Sequence, residues 1–291
     1  MTESLISTHS ISEKKVNEDF SQDFVNPALK FKGFVLADGI GSHYQPDLGS
    51  KFCVKRLCDI LSNIKSISEL DFKKIFQRVA SSLKQEFLNN EDGLENPKRS
   101  YGTTLIACLE FENKYIVAYL GNGSIWHLRG NFNSLINKQR YLPWNALNLL
   151  NPHTVDENGK EALYKFIALE TEEIQINPSV IQIYKDNEIY GDLLIASTDG
   201  LYSSDHIPIA KDRDGGLWVS GEKKMELLFN TLKEFSGNEN LSERNFKEIL
   251  EEYALNIKEQ KLLDDDTTFG IMYSQKAIEY QKRLNEKDTS K

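Results

Sequence analysis

Thr103–Arg129 reads TTLIACLEF-ENK-YIVAYL-GNG-SIWHLR. Three apolar runs of strand length follow one another with no helical segment between them. The separators are rich in turn-forming residues, so both predict hairpins. A doubly wound fold would alternate strands with helices, and this block does not. On its N-terminal side lie two helical patterns. PDLGSKFCVKRLCDILSNI spaces Phe52, Val54, Leu57, Cys58 and Leu61 along one face, with Asp47 suited to its first turn. DFKKIFQRVASSLKQEFL repeats the spacing with Phe72, Ile75, Phe76, Val79, Leu83 and Phe87, and Asp71 can cap it. Short β-like runs precede them at Ser4–His9 and Phe31–Ala37. On the C-terminal side, Tyr141–Leu163 is polar and predicts a long loop or small flap. Strands are expected at Ile181–Tyr184 and Leu193–Ala196, helices near Lys223–Phe235 and Ser242–Gln260, and a last strand at TTFGIMY. Strands and helices in blocks predict an α+β fold, antiparallel sheets packed on helix pairs. One domain is expected over residues 1–275, with a charged tail at 276–291.

Composition narrows the function. The 291 residues are 40% hydrophobic and 27% charged, enough to bury a large core without staples. Net charge is −9, which argues against non-specific nucleic-acid binding. Cys53, Cys58 and Cys108 form no C-x-x-C pair, which suits a reducing compartment. The start, MTESLISTHS, has neither the basic residues nor the apolar run of a secretory signal, and no stretch approaches a membrane span. A cytoplasmic monomer with no membrane contact is expected.

The chemistry is expected where apolar strands end in acid. FVLADGIGSH, Phe34–His43, runs into Asp38-Gly39, and LLIASTDGL, Leu193–Leu201, into Asp199-Gly200. A lone Asp-Gly is usually a hairpin turn. Here neither is followed by a matching strand. LLDDDTTFGIMY sets Asp264, Asp265 and Asp266 before a strand, and VNEDF carries Glu18 and Asp19. Such carboxylates, if brought together, repel one another unless a hard cation with oxygen ligands sits among them. A glycine after the aspartate lets its own carbonyl approach a metal.

In order, VNEDF, ADGIGSH, YGTTL, LGNGSIWHLRG, LLIASTDGL and DDDTTFGI resemble the motifs of the metal-dependent serine/threonine protein phosphatases of the 2C type, in their bacterial-like branch. The resemblance runs from Ser4 to Tyr273. It implies a four-layer αββα sandwich, two antiparallel sheets with helix pairs on the outer faces. It implies two divalent cations, Mn²⁺ or Mg²⁺, that activate a bridging water to attack phosphoserine or phosphothreonine with no covalent intermediate. The substrate would be a phosphoprotein, that of a partner Ser/Thr kinase. Asp38 would bridge the metals, the Gly39 carbonyl would bind one, and Asp199 and Asp265 would complete the other site. Asp265 is preferred because Thr268 then falls on the family threonine. Glu18 and Asp19 would lie beside the cluster. Lys14 stands where the family has a phosphate-gripping arginine, with His9 as another candidate for that contact. His43 ends the D-G-x-G-G-H-like run and is a candidate general acid.

Asn122 occupies a position where many bacterial members carry aspartate, which bears on a third metal. Thr103 and Thr104 are expected to support the sheet. Trp144 and His153 of the flap are candidate substrate contacts, although a variable surface loop is the plainer reading. DDDTT also fits an aspartyl-phosphate motif, but it follows a charged helical segment instead of a buried strand. Cysteine phosphatases need C-x5-R, whereas Asp59, Ile64 and Lys114 stand at that spacing. The remaining alternative is a phosphatase-like binding module with little turnover, which Lys14, Ser42 and Asn122 would favour.

Overall fold

The computed structural model describes residues 4–88, 96–132, 146–158, 161–201, 209–211, 217–219 and 222–288. The chain forms two compact units, one of residues 14–123 and 151–183, the other of residues 1–13, 124–150 and 184–291. The first unit is built on β2 (Phe20–Asn26), β3 (Phe31–Ala37), β4 (Leu105–Phe111), β5 (Lys114–Leu120) and β10 (Ser179–Tyr184), in the order β10-β5-β4-β3-β2. β2 to β5 pair antiparallel. Helices α1 (Pro46–Asn63) and α2 (Phe72–Phe87) pack on this sheet. Cys53, Leu57 and Leu61 of α1 and Phe76 and Leu83 of α2 are buried with Val35, Ala37, Ala107 and Leu109. Pro46 suits the first turn of α1 because its missing N–H would be unpaired there anyway. Asp71 caps α2 as expected, accepting from the Lys74 N–H at 3.2 Å. Buried Asn26 donates to the carbonyls of Leu61 and Ile64, both at 2.8 Å, and so pairs groups that the end of α1 leaves open.

The second unit holds β1 (Ser4–Ile11), β6 (Ser124–Leu128), β7 (Ala146–Asn148), β11 (Leu193–Ser197) and β14 (Thr267–Ser274), ordered β1-β14-β11-β6-β7 and antiparallel throughout. On it pack α3 (Glu222–Gly237), α4 (Glu243–Glu259) and α5 (Gln275–Asp288). Leu228, Leu232, Phe235, Phe246, Leu250 and Ile257 meet Ile195, Phe269, Ile271 and Tyr273. Asp192, just before β11, is buried and accepts from Arg129 Nε at 2.7 Å, with His127 Nε2 also 2.7 Å away. Short hairpins β8–β9 (Thr154–Asp156, Glu161–Leu163) and β12–β13 (Ile209–Lys211, Leu217–Val219) complete the described elements.

The α+β class with two antiparallel sheets stands as the sequence predicts. Four details differ. ENK joins the β4–β5 hairpin, but GNG does not make one: β5 and β6 belong to different sheets. Gly121 and Gly123 take φ of 112° and 119°, a region side chains avoid, and redirect the chain there. β2 was not expected, since FSQDFVN is too polar to stand out. The predicted tail 276–291 instead folds largely as α5, burying Ala277, Ile278 and Gln281, so this unit carries three helices where a pair was expected. Part of the expected flap is strand β7 and the β8–β9 hairpin; Trp144 lies outside the described residues.

Candidate functional site

Asp38 leaves the end of β3, and its main chain is fastened on both sides by the threonine pair of YGTTL. The Asp38 N–H donates to Thr104 Oγ1 at 3.1 Å. The Asp38 carbonyl accepts from the Thr104 N–H and from Thr103 Oγ1, each at 2.9 Å. The two threonines thus fix the orientation from which the carboxylate projects. Gly39 N–H donates to the Glu18 carbonyl at 3.1 Å, and Ser50 Oγ donates to the same oxygen at 2.6 Å. A Cβ on Gly39 would lie 2.6 Å from that oxygen, so the approach requires glycine. Phe20 pairs with Ala37 in β2–β3, and one further step sets buried Asp19 opposite Asp38. Lys14 reaches Glu18 at 3.5 Å. Lys14, Glu18, Asp19, Asp38 and Gly39 therefore belong to one connected acidic corner of the first unit.

His43 sits nearby but is tightly packed. Its ring meets Phe166 edge-on at 5.4 Å, and a Cβ on Gly102 would come within 2.0 Å of its Nδ1. Nδ1 is buried with no hydrogen-bond partner. Burial first, and the Arg99 charge second, hold the ring's pKa below the usual histidine value. A neutral ring suits packing better than proton donation. His9, on β1 of the second unit, bonds Ser7 Oγ through Nε2 at 3.0 Å and packs tilted against Phe269, its partner in the β1–β14 register, with ring centroids 5.6 Å apart. Those contacts are those of a sheet residue. His153 is buried between Tyr119 and Tyr164 and bonds Gly121 N and Ser179 Oγ. It packs against its own unit's interior.

The second unit uses a related device, with the threonine bonds falling on Thr198 and Gly200, the residues either side of Asp199. Thr198 N–H donates to the Thr268 carbonyl at 2.9 Å, and Thr268 N–H returns a bond to Thr198 Oγ1 at 3.0 Å. Thr267 Oγ1 donates to the Gly200 carbonyl at 3.0 Å. A Cβ on Gly200 would stand 2.0 Å from the Asp266 carbonyl oxygen. A Thr-Thr pair again pins an Asp-Gly turn at a strand end. Asp266 is buried and accepts from Ser12 Oγ, while Asp265 is exposed, its Oδ1 accepting from the Asp266 N–H at 2.8 Å. Of the two, Asp265 is the accessible carboxylate. The sequence reading missed Lys224. This buried lysine donates to the Gly200 carbonyl at 2.8 Å and lies 3.6 Å from Asp264. Burial pushes its pKa down, while the carboxylates of Asp264, Asp199 and Asp265 hold it up. In the sequence it is one of two adjacent lysines in an amphipathic helix, which reads as a solvated face.

The structure thus groups Lys14, Glu18, Asp19, Asp38, Gly39 and His43 in one unit, and His9, Asp199 and Asp265 in the other. The available donors are carboxylate and carbonyl oxygens, the set that Mg²⁺ and Mn²⁺ accept. Among the described residues, no three His, Cys, Asp or Glu side chains form a group that could by themselves hold an ion. The donor type fits a hard cation. Among the described residues, no helix is long and apolar enough to cross a membrane.

Comparison with known proteins accords with the fold. Solved structures with the same fold include the serine/threonine phosphatase Stp1 from Staphylococcus aureus, with a TM-score of 0.59 and 16% identity over 94% of this chain and 95% of that one. The serine/threonine phosphatase of S. agalactiae matches with a TM-score of 0.58 and 15% identity, over 92% and 98% of the two chains. PppA, described as a key regulatory component of T6SS in Pseudomonas aeruginosa, matches with a TM-score of 0.55 and 17% identity, over 94% and 100%. A comparison with curated proteins gave no match. The family model for protein phosphatase 2C matches residues 7–251. The chain belongs to the protein phosphatase 2C family.

Proposed function

We propose that the protein hydrolyses phosphoserine and phosphothreonine in a phosphoprotein, using two divalent cations, Mn²⁺ or Mg²⁺. The observation that carries this reading is the duplicated Asp-Gly turn, each copy locked by a Thr-Thr pair at a strand end. Such locking presents a carboxylate in a fixed direction, which catalysis and metal binding need and a surface turn does not. Asp38, the Gly39 carbonyl, Asp199 and Asp265 would hold the cations, with Glu18 and Asp19 beside them. When bound, the cations supply an activated water and neutralise charge on the phosphoryl oxygens.

The chain's own residues supply the rest. Glu18 holds Lys14 in place until substrate arrives, and the ammonium then offers the phosphate a point charge, without arginine's two-pronged grip. Thr103 and Thr104 keep Asp38 from turning. His43 packs behind the Asp38 turn, and His9 serves its sheet. Substrates of a partner Ser/Thr kinase are the natural targets, and the protein acts as a monomer in the cytoplasm.

A second reading, a phosphatase-like binding module, is favoured by one observation: the Lys224 ammonium already lies among the acids of the second unit. Metal-dependent hydrolysis of p-nitrophenyl phosphate and of a phosphothreonine peptide separates the two. The enzyme reading expects turnover that chelation abolishes and Mn²⁺ restores. Mn²⁺ binding without turnover on either substrate would establish the binding module instead.

A further inference from the structure

Lys224 is placed against two ordinary preferences. Its side chain is only 4% exposed, and burying an ammonium is costly unless it is paired. It also stands in the first turn of α3, where the helix dipole disfavours a cation. Only its surroundings offset both effects. The ammonium donates to the Gly200 carbonyl, which also receives Thr267 Oγ1. It pairs with Asp264, which is 70% exposed, and feels the charges of Asp199 and Asp265. The lysine backbone is itself held, since Tyr253 Oη donates to its carbonyl at 3.0 Å from the buried face of α4. A cation fixed this firmly on the Gly200 carbonyl is not a solvated surface charge.

We propose that Lys224 is a positioning residue of the metal centre: its ammonium braces the Asp199-Gly200 turn in the metal-free protein and opposes entry of a divalent cation at Asp199 and Asp265. The proposal rests on the reading of Asp199 and Asp265 as metal ligands. Without a cation, Asp199, Asp264 and Asp265 would repel one another, and the ammonium relieves that repulsion. With a cation, the same ammonium is a like charge nearby. The centre is thus kept folded at low metal concentration, and its affinity for metal is lowered.

The test is Mn²⁺ binding to the full chain, followed by the electron paramagnetic resonance of free Mn²⁺, in wild type, Lys224→Met and Lys224→Arg. Lys224→Met should bind one Mn²⁺ about tenfold more tightly or better, because a nearby like charge is gone. It should also melt at lower temperature than wild type without metal, and recover on adding Mn²⁺. Lys224→Arg keeps the charge and should bind within about threefold of wild type. Unchanged or weaker Mn²⁺ binding by a folded Lys224→Met protein overturns the proposal, because a merely structural lysine gives that result. A second measurement does not depend on Lys224→Met folding. In wild-type protein carrying ¹³Cε-lysine, the resonance missing from Lys224→Arg should shift as Mg²⁺ saturates the protein; an unmoved resonance overturns the proposal. If wild type binds no Mn²⁺ at all, the metal-centre reading itself fails, and the role of Lys224 falls with it.

Discussion

Acidification should loosen the crossover at Gly121 through one histidine. His153 Nδ1 accepts the Gly121 N–H at 3.1 Å, so this nitrogen must carry its lone pair, and the proton sits on Nε2, facing Ser179 Oγ at 2.9 Å. The main chain closes the same contact, with His153 N–H donating to the Gly121 carbonyl at 3.0 Å. Protonating Nδ1 would break the first bond and bury a charge between Tyr119 and Tyr164. Burial, with Lys165 adding to it, accordingly pushes the His153 pKa down to about 4. The unfolded chain takes up this proton near pH 6.5, and the folded one only near pH 4. Stability from His153 is therefore complete above pH 6.5 and is lost as pH falls towards 4. A shift of that size corresponds to about 2.5 kcal/mol between pH 7 and pH 4.5. Urea unfolding of wild type and His153→Asn at both pH values measures it. Asparagine keeps an acceptor for Gly121 but has no proton to take up. The stability gap between the two proteins should shrink by about 2 kcal/mol on going to pH 4.5. A gap that stays constant, or widens, would refute the assigned tautomer and its environment.

Three further outcomes follow from the same geometry. Thr103→Val removes the hydroxyl that holds the Asp38 carbonyl; stability should fall by about 1 kcal/mol, and turnover, read as kcat, by roughly tenfold or more as Asp38 loses its fixed direction. Gly200→Ala forces a Cβ to within 2.0 Å of the Asp266 carbonyl oxygen, so Mn²⁺ binding measured by calorimetry should be lost along with about 1–3 kcal/mol of stability. Asp192→Asn leaves Arg129 and His127 without their buried carboxylate; chemical unfolding should show a loss of about 3 kcal/mol with metal binding intact.

Much of this arrangement was legible in the sequence because it is written in local patterns. β3 falls on Phe31–Ala37 as expected, since a strand buried along its length reads as an unbroken apolar run. The amphipathic spacing of α1 and α2 and the Asp71 cap are likewise local. The Asp-Gly turns stood out by repetition. What escaped was tertiary. GNG looks like a hairpin because turn residues do not say which sheet the next strand joins. β2 is hidden by its polar residues, of which Asn26 is buried only because the end of α1 needs its donors. α5 was masked by charge, with Ala277, Ile278 and Gln281 its buried stripe. His153 reads in sequence as part of a variable surface loop, yet its side-chain hydrogen-bond partners lie over 25 residues away along the chain. Lys224 and its neighbour Lys223 are indistinguishable in sequence, but one is exposed and the other is buried among acids.

The central claim is metal-dependent phosphoester hydrolysis that requires both strand-end aspartates, Asp38 and Asp199. The most direct test is the rate of phosphothreonine-peptide hydrolysis, with and without Mn²⁺, by wild type, Asp38→Ala and Asp199→Ala, each shown to be folded by circular dichroism. The account predicts turnover by wild type only with Mn²⁺, and its loss by a factor of about 10² or more in either variant. Metal-independent turnover by wild type, or full activity in a folded Asp38→Ala or Asp199→Ala protein, would contradict it.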